Sequence, residues 1–301
     1  MKNKNISLLL LSTLISTNIF AFNLNTIGGD IEVGYKTKDY EEGGASRNFR
    51  ENNVSLTLKP NKNKSLAFKF GFANRDFYES SKDENRTMSE FYIENMYIFG
   101  KLMFRPEIGF KYTDFNNDDH GMDDAKEYRF YPKFTYNINR NWSIYSRGFI
   151  AYTELKNPWL YNKENQYGYK HRLEGGARYK FNRQNALSIA ISDETSDVNK
   201  FNYDVEGTQL RVRYHYSPSR KLKIVPYIFL TLDGERTSEK NESTRVKRDK
   251  LGVNIHYDLN RNLELIGKLS HEWRDDKDDY KYRGQGNKNN WFYSAGLKYS
   301  F

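Results

Sequence analysis

The chain has 301 residues, 48 Lys+Arg against 39 Asp+Glu, and no cysteine, and Phe, Trp and Tyr make up 16% of it. A mean hydropathy of -0.90 is too low for a soluble protein with a large apolar core, while 24 Tyr and 20 Phe are too many for a disordered one. Zero cysteines exclude a disulfide framework and any thiolate metal site.

The first 21 residues read as a secretory signal peptide, and 22-301 as one mature domain. Lys2 and Lys4 open a basic start, Ile6 to Ile15 form a short apolar run, and Ile19-Phe20-Ala21 ends on a small residue. That run is too short to cross a bilayer as a helix, and no later stretch reaches 18 apolar residues.

Beyond it, apolar and polar residues alternate. Ile27, Ile31, Val33 and Tyr35 interleave with Gly28, Asp30, Glu32 and Lys36; Leu66, Phe68, Phe70 and Phe72 follow the same rule, as do Leu251, Val253, Ile255 and Tyr257. Period two means strands with one apolar face. The expected strands, in chain order, are 27-38, 48-59, 64-78, 88-99, 101-115, 126-137, 142-155, 169-181, 186-195, 201-216, 221-234, 244-258, 263-275 and 290-301. Short turns such as Asn139-Arg140-Asn141, Asn182-Arg183-Gln184-Asn185, Ser217-Pro218-Ser219-Arg220 and Asn260-Arg261-Asn262 alternate with long charged loops such as Asn116 to Ala125 and Asp276 to Asn289. Strands with that alternation predict an all-β, transmembrane, antiparallel up-and-down barrel of 14 strands, 12 being the alternative count. Its place would be a Gram-negative-type outer membrane, among lipid and lipopolysaccharide, with the long loops outside the cell.

The last strand carries rings at Trp291, Tyr293, Tyr299 and Phe301. An aromatic C-terminus after an alternating strand resembles the signal read by barrel-assembly machinery, which makes Tyr299 and Phe301 its candidate contacts.

If the apolar residues face lipid, the intervening ones face the lumen. The expected basic wall is Arg105, Arg129, Lys133, Arg147, Arg172, Arg178, Arg211, Arg213, Arg248 and Lys250. The expected acidic wall is Asp30, Glu32, Glu90, Glu94, Glu107, Glu264 and Glu272, with the basic excess concentrated on the fifth to twelfth strands while the first and fourth strands are acidic. Fourteen strands leave an aqueous bore, and a net basic wall favours anions where screening is weak.

Catalysis is not expected. No Gly-x-Ser-x-Gly elbow accompanies the five histidines (His120, His171, His215, His256, His271), and His215 and His256 lie two strands apart with no Ser or Asp pattern shared between them. Asp118, Asp119, Asp123 and Asp124, or Asp275, Asp276, Asp278 and Asp279, offer oxygen ligands for Ca²⁺ without a defined loop spacing. No cofactor is expected. The cations alternate along strands instead of clustering, which argues against nucleic acid.

Leu251-Gly252-Val253, Tyr257-Asp258, His271-Glu272-Trp273, Pro226-Tyr227 with Asp233, and the finish Tyr293-Ser-Ala-Gly296 to Tyr299-Ser-Phe301 resemble the OmpG-type monomeric porins. The resemblance implies a fourteen-stranded monomer passing ions and small hydrophilic solutes such as sugars with little selectivity. It also implies an acid gate of facing histidines, where this chain has Val246 and Asp276. Two other functions stay open: a channel for acidic oligosaccharides, similar to the oligogalacturonate porins, and a non-conducting adhesive or structural barrel.

Overall fold

The structure is a computed structural model that describes residues 27-40, 48-60, 65-78, 85-116, 124-156, 165-198, 204-237, 243-276 and 289-301. The signal-peptide segment, His120, the aspartates at 118, 119, 123, 278 and 279 and most of the turn after Pro60 lie outside them.

Fourteen antiparallel strands form a closed barrel. They are β1 (Gly28–Tyr40), β2 (Asn48–Lys59), β3 (Ala67–Tyr78), β4 (Asn85–Glu94, resuming as Tyr97–Phe99), β5 (Leu102–Asn116), β6 (Asp124–Asn137), β7 (Trp142–Lys156), β8 (Gln166–Lys180), β9 (Asn185–Val198), β10 (Asp204–Tyr216), β11 (Leu222–Thr237), β12 (Ser243–Asp258), β13 (Leu263–Asp276) and β14 (Asn290–Ser300). Each strand pairs with its neighbours in sequence, and β1 closes on β14 from Asp30↔Ser300 to Tyr40↔Asn290. Closure leaves no unpaired edge, which a barrel needs where no water can satisfy backbone groups. The start of β1 meets the C-terminal residue at the short-turn rim, where Gly29 N–H donates to the Phe301 carbonyl at 3.1 Å and Phe301 N–H donates to the Gly29 carbonyl at 3.0 Å. The strands run from 10 to 16 residues, and about 9–11 tilted residues suffice to cross a bilayer.

Departures from the expected spans have local causes. The fourth strand breaks at Asn95-Met96, opposite Pro106, whose carbonyl accepts from Asn95 N–H at 3.1 Å but which has no N–H to return. Pro132 leaves a similar gap in the β6–β7 ladder, between Phe130↔Ile150 and Phe134↔Ser146. Gly148, facing that gap, adopts φ 122°, where a Cβ would strike the Arg172 carbonyl. β9 reaches Val198 instead of ending at 195, and β11 continues to Thr237 instead of ending at 234. Near its end Leu232 is an extra residue, because Gln209 opposes Thr231 and Thr208 opposes Asp233, a β-bulge.

Register sorts the side chains onto two faces. Val33, Phe70, Ile108, Ile150, Ile189 and Leu251 share the outer face, and all are exposed. In water such a belt would be a large exposed apolar patch; in a bilayer it is the solvated surface. Charged residues occupy the alternate positions and meet inside the barrel. Side-chain caps shape the short turns: Asn139 Oδ1 accepts from the N–H of Asn141 and Trp142 (both 2.8 Å), Asn182 Oδ1 from Gln184 and Asn185 (2.8 and 2.9 Å), and Asn260 Oδ1 from Asn262 and Leu263 (2.9 and 3.0 Å).

Candidate functional site

The inner wall is built from carboxylates that sit low between strands, each covered by two or more cations. Glu174 on β8 is the densest case. Its side chain is 3% exposed, Arg213 reaches both of its oxygens at 2.8 Å, Arg211 approaches at 3.1 Å and Arg147 at 2.7 Å. Tyr145 OH donates from 3.3 Å, and Phe229 lies under both Arg211 and Arg213. The intervening strand β9 permits the bridge, because its inward residues Ala186, Ser188, Ala190 and Ser192 are small and are buried beneath it. Long side chains two strands apart can meet only over such a low row.

The same construction recurs around the bore. Glu127 on β6 holds Arg129 at 2.8 Å and Lys170 of β8 at 2.7 Å, the latter across β7, where Ala151 and Thr153 are buried. Arg129 also donates to the hydroxyls of Tyr92 and Tyr131, at 3.1 and 3.2 Å. Tyr92 lies across β5 because the facing residue is Gly109, where any Cβ would overlap the ring. Glu94 and Glu107 form the third group. Lys133 contacts both, at 3.3 and 2.8 Å, Lys69 reaches Glu94 at 2.8 Å and also pairs with Glu107, and Arg105 pairs with Glu94. Glu51 on β2 completes the series with Lys36 at 2.7 Å and Arg75 at 2.6 Å.

In these groups the carboxylate is the more buried partner and at least one cation stands out toward the bore. Glu51, Glu94, Glu107 and Glu174 have side chains only 3–6% exposed, against 27–49% for Lys36, Arg75, Lys69, Arg105, Lys133 and Arg147. Glu90–Lys111 reverses the order. In the other groups the side chain that reaches further out is therefore the cation.

The other expected wall residues are placed as follows. Arg172 pairs with Glu194, Lys250 lies 3.9 Å from Glu272 and 3.9 Å from the centre of the Phe292 ring, and Lys298 lies 3.7 Å from Asp30 with Glu32 opposite it in register. Arg248 is tied by its backbone, its N–H donating to Thr231 Oγ1 at 2.8 Å and its carbonyl accepting from Gln209 at 3.2 Å. Arg178 faces Ser188 and Ser143 in the ladders and makes no ion pair among the described residues. Glu264 accepts from His256 at 2.7 Å. Tyr299 and Phe301 stack on the outer face beside the first strand.

One sequence reading needs correction. Acidic and basic residues do not occupy separate arcs: acidic Glu94 of β4 lies under Lys69, Lys133 and Arg105, and Glu127 and Glu174 lie within the basic half. β9–β10 pairing puts Ser188 Oγ 3.1 Å from His215 Nε2, while among the described residues its buried Nδ1 has no hydrogen-bond partner and no carboxylate orients the ring. Val246 and Asp276 stand directly opposite each other in the β12–β13 ladder.

Sequence reasoning missed Glu51, Glu127, Lys170 and Tyr92. Each shares the parity of its strand's inward positions, and Glu127 lies two residues from Arg129, so strict alternation carried through to the strand ends would have found them.

No protein-family model and no curated protein matches the sequence. Solved structures do match in shape. The Pseudomonas putida toluene transporter TodX aligns with a TM-score of 0.52 at 9% identity, covering 93% of this chain and 90% of that one. A deltaS2 mutant of the TodX monoaromatic hydrocarbon channel gives 0.56 at 10%, covering 91% and 90%. The CymD monoaromatic hydrocarbon channel gives 0.51 at 9%, covering 92% and 88%. At such identities the likeness shows one thing, that this chain has the fold of these outer-membrane β-barrel channels.

Proposed function

We propose that the chain is a monomeric outer-membrane porin, a water-filled channel through which ions and small hydrophilic solutes diffuse, with a preference for anions. The observation that carries this reading is the Glu174 group: one carboxylate beneath three arginines leaves an excess of positive charge on the wall. A closed fourteen-stranded ring with a charged inner face supports a hydrated bore, since about eight strands already fill their own interior. The resemblance to OmpG-type porins supports the monomeric state, and the N-terminal pattern supports export. Stepwise current on adding the refolded protein to a planar bilayer is the test, and a folded barrel that inserts without current would leave an adhesive or structural role instead.

A second reading is favoured by the series of outstanding cations, Arg147, Arg105, Lys133 and Lys69 each being more exposed than the carboxylate it pairs with. Such a track fits acidic oligosaccharides. Liposome swelling faster with uronate oligomers than with neutral oligomers of equal length would support it; equal rates would leave the general channel.

A further inference from the structure

The cations of the short-turn rim differ from those of the bore. Three turns read apolar-Asn-Arg: Ile138-Asn139-Arg140, Phe181-Asn182-Arg183 and Leu259-Asn260-Arg261. In each, the Asn side chain caps two backbone N–H groups, so the arginine always takes the same place on the turn. A fourth turn does this with serine, Ser219 Oγ accepting from Lys221 and Leu222 at 3.2 and 3.1 Å beside Arg220.

All four arginines are exposed, and none pairs with an acidic side chain among the described residues. The arginines of the Glu174 and Glu127 groups, by contrast, are held by carboxylates. Two residues before Arg140, Arg183 and Arg261 stands an outward apolar side chain, each more than 40% exposed. Above this row lies a girdle of rings, in which Tyr179 packs against Trp142 at 4.7 Å and Phe181 at 4.9 Å between centroids. An aromatic girdle marks the depth where hydrocarbon gives way to headgroups. An exposed guanidinium just beyond it is within reach of phosphate depth, and its fork suits phosphate oxygens. Arg183 and Arg220 also border the cavity at the short-turn mouth of the bore, with Lys223, His256 and Glu264.

We infer that the short-turn rim from β6 to β13 is an arc-shaped binding site for anionic phospholipid headgroups, with Arg140, Arg183, Arg220 and Arg261 contacting their phosphates. The inference rests on the membrane placement given under Proposed function and not on conduction. It would fasten the barrel at a fixed depth in the leaflet on the short-turn side.

Native mass spectrometry of the full chain, released from micelles holding equal phosphatidylglycerol and phosphatidylcholine, tests it. The expected result is about a fivefold excess of bound phosphatidylglycerol, the size of one engaged arginine. It falls to parity in the R140Q/R183Q/R220Q/R261Q variant and persists when the same four become lysine. Parity in the unaltered protein, or an excess undiminished in the glutamine variant, overturns the proposal. Displacement of the lipid by inorganic phosphate at matched concentration also overturns it, because the site would then read phosphate alone. Heat-modifiable gel mobility reports folding. If the fourfold variant does not fold, R140Q/R183Q replaces it and must reduce the excess. Planar-bilayer current from the same preparation reports separately on the channel reading.

Discussion

Glu174 and Arg213 sit two strands apart yet meet through two contacts of 2.8 Å, because Ser188 and Ala190 on the strand between them are too small to intervene. This bridge makes Glu174 both a structural tie and the one negative group among three arginines. Glu174→Gln would leave Arg211 and Arg213, only 13% and 11% exposed, without their anion. The expected outcome is a barrel less stable by about 1–3 kcal/mol and more anion-selective, measured by urea unfolding in detergent and by reversal potential. Unchanged selectivity would place the Glu174 group off the conduction path.

Ala190→Leu tests the low row itself. Ala190 is 2% exposed under the bridge, and Leu there would lift the arginines off Glu174 and project them into the bore. A stability loss of about 1–3 kcal/mol is expected together with lower single-channel conductance, read in one preparation by unfolding and by bilayer recording.

Gly109→Val acts by the same geometry elsewhere. A Cβ at this position overlaps the Tyr92 ring, so the tyrosine must turn off β5 and release its 3.1 Å bond from Arg129. The change is expected to destabilise the folded barrel by about 1–3 kcal/mol, which the unfolding midpoint in urea checks.

The fold was legible because alternation is a strong signal when every strand has one lipid face. Ile31-Glu32-Val33 and Phe68-Lys69-Phe70 leave little doubt about which side is which. Strand ends were less legible, since β11 and β12 run to 16 residues, past the length a bilayer requires, and the outward apolar pattern fades there. The wall residues were readable one by one, but their grouping was not. Lys69, Glu94, Glu107 and Lys133 come from four strands, and nothing in linear order says that Lys133 reaches Glu94. The small row Ala186, Ser188, Ala190, Ser192, alternating with Leu187, Ile189 and Ile191, was the available hint that neighbours bridge above it.

Screening supplies a further check. If exposed wall cations set selectivity, anion preference shrinks as the Debye length falls from about 10 Å at 0.1 M salt to about 3 Å at 1 M. Reversal potentials at fixed gradient and rising mean concentration measure it, and the expected trend is a steady decline toward zero.

The most direct measurement is the reversal potential of single channels in a steep KCl gradient, for the unaltered protein and for R211E/R213E, with folding of both checked by heat-modifiable mobility. The expected result is an anion-selective potential in the first and a shift toward cations in the second, because Arg211 and Arg213 crown the Glu174 group. A folded, inserted barrel that carries no current, or a potential near zero that the double reversal leaves unmoved, would contradict the basic-walled pore.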